Sequence, residues 1–157
     1  IVTRMFSHEG SRRGHMFALS SFAKQIVESE LIDEKTPAER AYPIRHGNLD
    51  SVRTYNHIDD AVRAYWLCAL FAETGQVYNI GGDETCTIGE ALDTLISKST
   101  ISSKLEKTLD PARVRPTDIT LQIPCSKKFR ECTDWKPRKG IKEICDDLLD
   151  YWRKELR

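Results

Sequence analysis

The chain predicts an α/β fold, and two observations predict it. Short runs of β-branched and aromatic residues are spread along the sequence, and between them apolar residues recur at helical spacing. A helical bundle would lack the runs and a sandwich would lack the stripes, so an α/β or α+β arrangement remains.

The elements follow in order. Residues 1–6 read as a buried strand. Residues 7–16 form a polar loop rich in donors. Leu19, Phe22, Ala23, Ile26 and Val27 then make a helical stripe. Residues 31–42 are polar and read as a surface excursion. Strands are expected at 43–46 and 53–58. Asp59 and Asp60 suit the positive end of a helix running to about Glu73, with Val62, Tyr65, Trp66, Ala69 and Leu70 inward and Gly75 as its stop. Gln76 to Ile80 is a strand ended by Gly81-Gly82. Thr87-Ile88-Gly89-Glu90 is a capping box, and its helix carries Ala91, Leu92, Leu95 and Ile96. An edge strand covers 104–109. Pro111 and Pro116 bracket a rigid loop holding Arg113 and Arg115. Ser126 is placed as the cap of a short helix through Cys132. A last helix puts Ile144, Cys145, Leu148, Leu149 and Trp152 on one face. Trp66, Trp135 and Trp152 are expected in the core, and His57 is read as structural.

Composition narrows the function classes. At 157 residues the chain is one domain or somewhat more. Lys plus Arg and Asp plus Glu are both 24, so nothing global points to nucleic acid or an anionic membrane. The late basic cluster is interleaved with Asp146, Asp147 and Asp150 and reads as a solvated mixed-charge face. No apolar run approaches the ~18 residues needed to span a bilayer. The five cysteines are odd in number, lack a C-x-x-C and do not match common zinc spacings. A reducing, cytoplasmic setting is the simplest reading. The first residues read as a strand joined in progress, so the chain is expected to be a fragment.

Recognisable chemistry is sparse. No G-x-x-G-x-x-G turn occurs, so the usual dinucleotide cradle is missing. No Tyr-x-x-x-Lys pair, Ser-His-Asp set or paired carboxylates stand out, and neither a nucleophile nor a general base is evident. What does stand out is Arg53, between a loop and an acidic helix start, and Arg115 in Arg115-Pro116-Thr117-Asp118. Arginine offers a planar fork of permanently charged donors that matches phosphate oxygens, so this pair can grip a diphosphate from two sides.

Several blocks in order resemble the GDP-mannose 4,6-dehydratases and their relatives, the GDP-4-keto-6-deoxymannose reductases. They include Met5 to Gly14, Phe22 to Ile26, Gly47 to Val62, Val77 to Gly82, Asp110 to Asp118, Trp135-Lys136-Pro137 and Asp147 to Trp152. The resemblance implies the C-terminal portion of an extended short-chain dehydrogenase: the last Rossmann elements plus a small α/β substrate-binding domain over 1–157. The complete enzyme would add an N-terminal Rossmann half with the glycine-rich loop and the Tyr-Lys pair. It would use NADP to oxidise C4 of GDP-mannose, eliminate water across C5–C6 and return the hydride to C6. Weak or no NADP binding is expected of this chain alone. The complete protein would be a homo-oligomer, dimer or tetramer.

By the same resemblance, His8 and Arg13 match the NADP-touching loop, which also reaches toward a neighbouring subunit. Arg53 and Arg115 match the arginines on the diphosphate. Asp118 matches an acidic residue near the nucleotide sugar or base. Gly47 and Asn48 match the loop over the base, and Phe17 to Phe22 would lie along the guanosine. Ser21 stands near the place where dehydratases commonly carry Lys, Ser7 where Asn is common and Ser11 where Pro is usual. No catalytic residue and no metal ligand is assigned. Read as residues alone, Arg53 could instead pair with Asp59 or Asp60, Asp118 could cap the next segment, and His8 could be a loop hydrogen-bonder. A 4-keto reductase or epimerase half, and a non-catalytic nucleotide-binding or assembly module, stay open.

Overall fold

The computed structural model describes residues 1–157. Strand β1 (Val2–Met5) pairs in parallel with β6 (Val77–Ile80), and β2 (His8–Glu9) with β5 (Asn56–His57). β3 (Tyr42–His46) runs parallel to β8 (Leu105–Leu109). β4 (Val52–Thr54) is the middle of a three-stranded sheet, antiparallel to β7 (Thr85–Thr87) and parallel to β9 (Leu121–Gln122). Five helices connect these pairs: α1 (Ala18–Lys35), α2 (Ile58–Phe71), α3 (Ile88–Ser97), α4 (Lys127–Thr133) and α5 (Ile141–Glu155). No helix is long and apolar enough to cross a membrane.

Two apolar clusters hold these pieces. The larger joins α1, α3 and α5 over β3, with Ile26, Ile44, Leu92, Leu95, Ile144 and Leu148 all fully buried. The smaller sets Ala64 and Cys68 of α2 and Tyr78 and Ile80 of β6 against Phe129 and Trp135. The Thr87–Glu90 capping box forms as expected, with both reciprocal bonds. His57 is fully buried and structural. Its Nδ1 accepts from the Asp59 amide at 3.1 Å, so the proton lies on Nε2, 3.0 Å from Asp147 of α5.

Several expectations are corrected. β1 is not buried: its outer edge is unpaired, and Val2 is 56% exposed. Residues 31–35 continue α1 rather than forming a loop. The acidic residues there are tied down, Asp33 by Lys104 and Glu34 by Arg157, which lets a polar stretch stay helical. α2 faces the opposite way. Ala61, Ala64 and Cys68 point inward, while Trp66 is 67% and Leu70 66% exposed, with Val62 and Tyr65 also exposed. The reason lies in Asp60, whose carboxylate accepts the Arg138 and Lys139 amides at 2.7 and 3.0 Å. That anchor turns the small-residue face onto β6 and α4. Helix α2 also ends at Phe71, and Gly75 (φ +82°) serves the turn beyond it. Ser126 does not cap α4 with its side chain; its hydroxyl accepts from the Gly81 amide at 3.0 Å instead.

Candidate functional site

A cleft of about 560 Å³ opens between the start of α1, the loop after β3, strand β4 and the loop 112–118. That volume falls within the usual range for a small-molecule site. It brings together Arg13, Ser21, Gly47, Asn48, Arg53, Arg115 and Asp118, which the sequence separates by up to 105 positions. His8 does not line it. His8 and Glu9 are consecutive on β2, so they face opposite ways, and Glu9 is the one that reaches the cleft. His8 Nδ1 is engaged with the Phe6 carbonyl at 3.2 Å.

Arg53 lies in the central strand of its sheet, between Cys86 and Gln122. Its Nη1 donates to the Val52 carbonyl at 2.8 Å, and its Nη2 lies 3.5 Å from Asp118. Neither Asp59 nor Asp60 is its partner; they pair with Lys139 and Arg63. Asp118 accepts from the Ser51 hydroxyl at 2.9 Å and more distantly from the Asn48 amide group. The Ser51 hydroxyl, the Ile119 amide and the Arg53 guanidinium hold its carboxyl below the usual carboxylate range. Asn48 Oδ1 accepts the Asp50 amide, a side-chain turn that fixes the loop. Arg115 is exposed at the rim.

The loop 10–15 forms the other wall. Arg12 takes a left-handed backbone (φ +68°), and Ser20 donates to the Arg13 carbonyl at 2.6 Å. Arg13 stacks its guanidinium over the Phe17 ring, 3.3 Å from the centroid, with its Nε 3.5 Å from Glu9. Glu9 is only 6% exposed, and burial pushes its pKa up to about 7 against the opposing pull of Arg13. Glu9 Oε2 and Arg13 Nε have no hydrogen-bond partner. Tyr55 also lines the cleft, and burial raises its phenol.

The cleft therefore carries four arginines, Arg13, Arg53, Arg113 and Arg115, against two carboxylates, Glu9 and Asp118. A concave site with surplus fixed positive charge can hold a phosphorylated ligand, with apolar Phe17, Leu19 and Phe22 as its floor. Sequence reasoning gave no role to Glu9, Tyr55 or Arg113. Arg113 was detectable only by proximity: it stands two residues from Arg115 in the same Pro-bracketed loop. Glu9 was not, because nothing local says that a loop carboxylate will be buried.

The sequence model of the GDP-mannose 4,6 dehydratase family matches residues 1–148. The chain belongs to that family. A GDP-6-deoxy-D-mannose reductase of Pseudomonas aeruginosa is 26% identical over all of this chain and 49% of its own length. The human GDP-mannose 4,6 dehydratase is 25% identical over 92% of this chain and 41% of its own. The chain thus spans about half the length of the curated relatives it matches. Among solved structures, the Pseudomonas aeruginosa protein RMD complexed with NADPH superimposes with a TM-score of 0.81 at 25% identity, over 98% of this chain and 47% of the other. A UDP-glucuronic acid 4-epimerase from Bacillus cereus shares the fold with a TM-score of 0.77 at 21% identity, over 100% of this chain and 46% of the other. The fold is that of the C-terminal portion of an extended short-chain dehydrogenase.

Proposed function

We propose that the chain is the substrate-binding portion of a GDP-mannose 4,6-dehydratase and that its cleft holds the sugar nucleotide by its diphosphate. The observation that carries this reading is the arginine surplus around a cleft with an apolar floor. Arg53 and Arg115 bind the phosphates, and the Asn48–Asp118–Ser51 network orients Arg53 and receives the nucleoside side. Phe17 to Phe22 and Gly47 line the guanosine. The chain's own contribution is electrostatic positioning: fixed donors hold the charged bridge so that the sugar is presented in one orientation.

NADP, when bound to the complete protein, supplies the hydride chemistry. Arg13 fits a contact to it, because its buried Nε lacks an acceptor and its charge is only loosely matched by Glu9. His8 keeps Nε2 available beyond its bond to Phe6. A dinucleotide cradle is not part of these residues, so most of that binding falls to an N-terminal Rossmann half. That half would pack over the exposed apolar residues of β1 and α2, among them Val2, Val62, Trp66 and Leu70. The complete protein is a homo-oligomer, with the 10–15 loop toward a neighbour. The five cysteines of this chain, none of them in a disulfide, support a cytoplasmic setting.

A reductase of the 4-keto sugar is the second reading, favoured by the match of all of this chain to about half of the Pseudomonas aeruginosa reductase. Product analysis of the complete protein, supplied with GDP-mannose or with the 4-keto sugar, separates the two. The nucleotide itself is tested by titrating this chain with GDP and with UDP. Tighter binding of GDP supports the guanosine site; equal or weaker binding counts against it.

A further inference from the structure

We propose that Arg113 is a third arginine on the diphosphate, held for that contact by Ser21 and Gly47; this rests on the nucleotide-binding reading above. Two of the four cleft arginines already face a carboxylate inside the cleft. Arg53 lies 3.5 Å from Asp118, and Arg13 lies 3.5 Å from Glu9. Arg113 has Asp110 at 3.4 Å, a carboxylate that stands outside the cleft lining, and Arg115 alone of the four is in no ion pair. The diphosphate bridge of a nucleotide sugar is doubly anionic. Arg115 is free to meet it, and Arg113 meets it through the donor that neither Asp110 nor Ser21 engages.

Arg113 is placed rather than free. It ends a short 3-10 turn, Pro111–Arg113, that Asp110 closes by accepting the Ala112 amide at 3.1 Å. Gly47 packs directly on the Arg113 carbonyl, and any side chain there would collide with it. The two loops are thus in backbone contact, which fixes where the arginine starts. Its far end is fixed as well: Nη1 donates to Ser21 Oγ at 3.1 Å, a contact spanning 92 residues. Asp110 pairs with it at Nε, at 3.4 Å, from outside the cleft lining. Ser21 is a neutral acceptor, so it orients the guanidinium without cancelling its charge. Nη2 has no acceptor within the protein and stays available to a phosphate oxygen. The first turn of α1 beside it carries no acidic residue to compete.

The test is calorimetric titration of the chain with GDP and with guanosine. Arg113→Ala should weaken GDP by about tenfold or more, the effect of losing one charge-assisted contact, while guanosine binding is unchanged. Arg113→Lys, which keeps the charge, should recover part of that loss. Ser21→Ala should weaken GDP by a smaller factor in the same selective way. If Arg113→Ala binds GDP like the wild type while Arg53→Ala and Arg115→Ala do not, this proposal fails and the nucleotide reading survives. Equal loss of GDP and guanosine in Arg113→Ala would mean a purely structural residue and would also overturn it. Absence of GDP binding by the wild type would remove the nucleotide reading and this proposal with it.

Discussion

Arg53 and Asp118 face each other at 3.5 Å across 65 residues of sequence, and Ser51, two residues before Arg53, donates to the same carboxylate at 2.9 Å. One loop residue is thereby clamped from the middle strand of a sheet. The Ser51 hydroxyl is the largest influence lowering the Asp118 pKa below its ordinary 3.8. Ser51→Ala should let that carboxyl titrate closer to 3.8, readable from its carboxyl carbon by NMR. An unmoved titration would show that Ile119 and Arg53 suffice.

Glu9 gives a dependence on pH of the opposite sign. Its folded-state pKa is raised to about 7 from 4.5 by burial. The folded protein then binds the proton more tightly than the unfolded chain. Stability from this group is fully present below about 4.5 and is lost as pH rises through about 7. Glu9→Gln should therefore be more stable than wild type at pH 8, by about 1–3 kcal/mol, with the advantage vanishing near pH 4.5. Denaturant unfolding at the two pH values measures it, and an advantage that does not grow with pH contradicts the account.

Gly47 is required by close approach rather than by backbone angle, since its missing Cβ is what lets the Arg113 carbonyl sit against it. Gly47→Ala should cost about 1–3 kcal/mol of stability, as overpacked sites do, because the neighbour is backbone and cannot swing away. The same variant should weaken GDP binding, as it moves the loop carrying Arg113 and Arg115. A variant with wild-type melting temperature and affinity would show that the loops part freely.

The outward face of α2 carries Trp66 and Leu70 into solvent. Hydrophobic dye should bind this chain strongly, and Trp66→Ser with Leu70→Ser should cut that signal while changing stability by only about 0.5 kcal/mol per exposed site. Loss of stability by several times that amount would place Trp66 in a core after all.

This face also marks where the sequence was legible and where it was not. The periodicity of Val62, Tyr65, Trp66 and Leu70 identified a helix correctly, because amphipathic spacing is local. Its direction depended on Asp60 meeting amides 78 and 79 residues away, which no local pattern encodes. The Thr87–Glu90 box and the α5 stripe were read correctly for the same local reason. In the cleft, Arg53 and Arg115 were visible as unusual arginines. The buried Glu9 and the Arg113–Ser21 contact needed the tertiary fold, which alone decides burial and pairing across 92 residues.

The most direct measurement is the titration of GDP into the wild-type chain, Arg53→Ala and Arg115→Ala, with folding checked by circular dichroism. The account predicts that the wild type binds and that each variant, still folded, loses about tenfold or more in affinity, as expected for removal of a charge-assisted phosphate contact. Undiminished binding in both folded variants, or a folded wild type that ignores GDP, would contradict it.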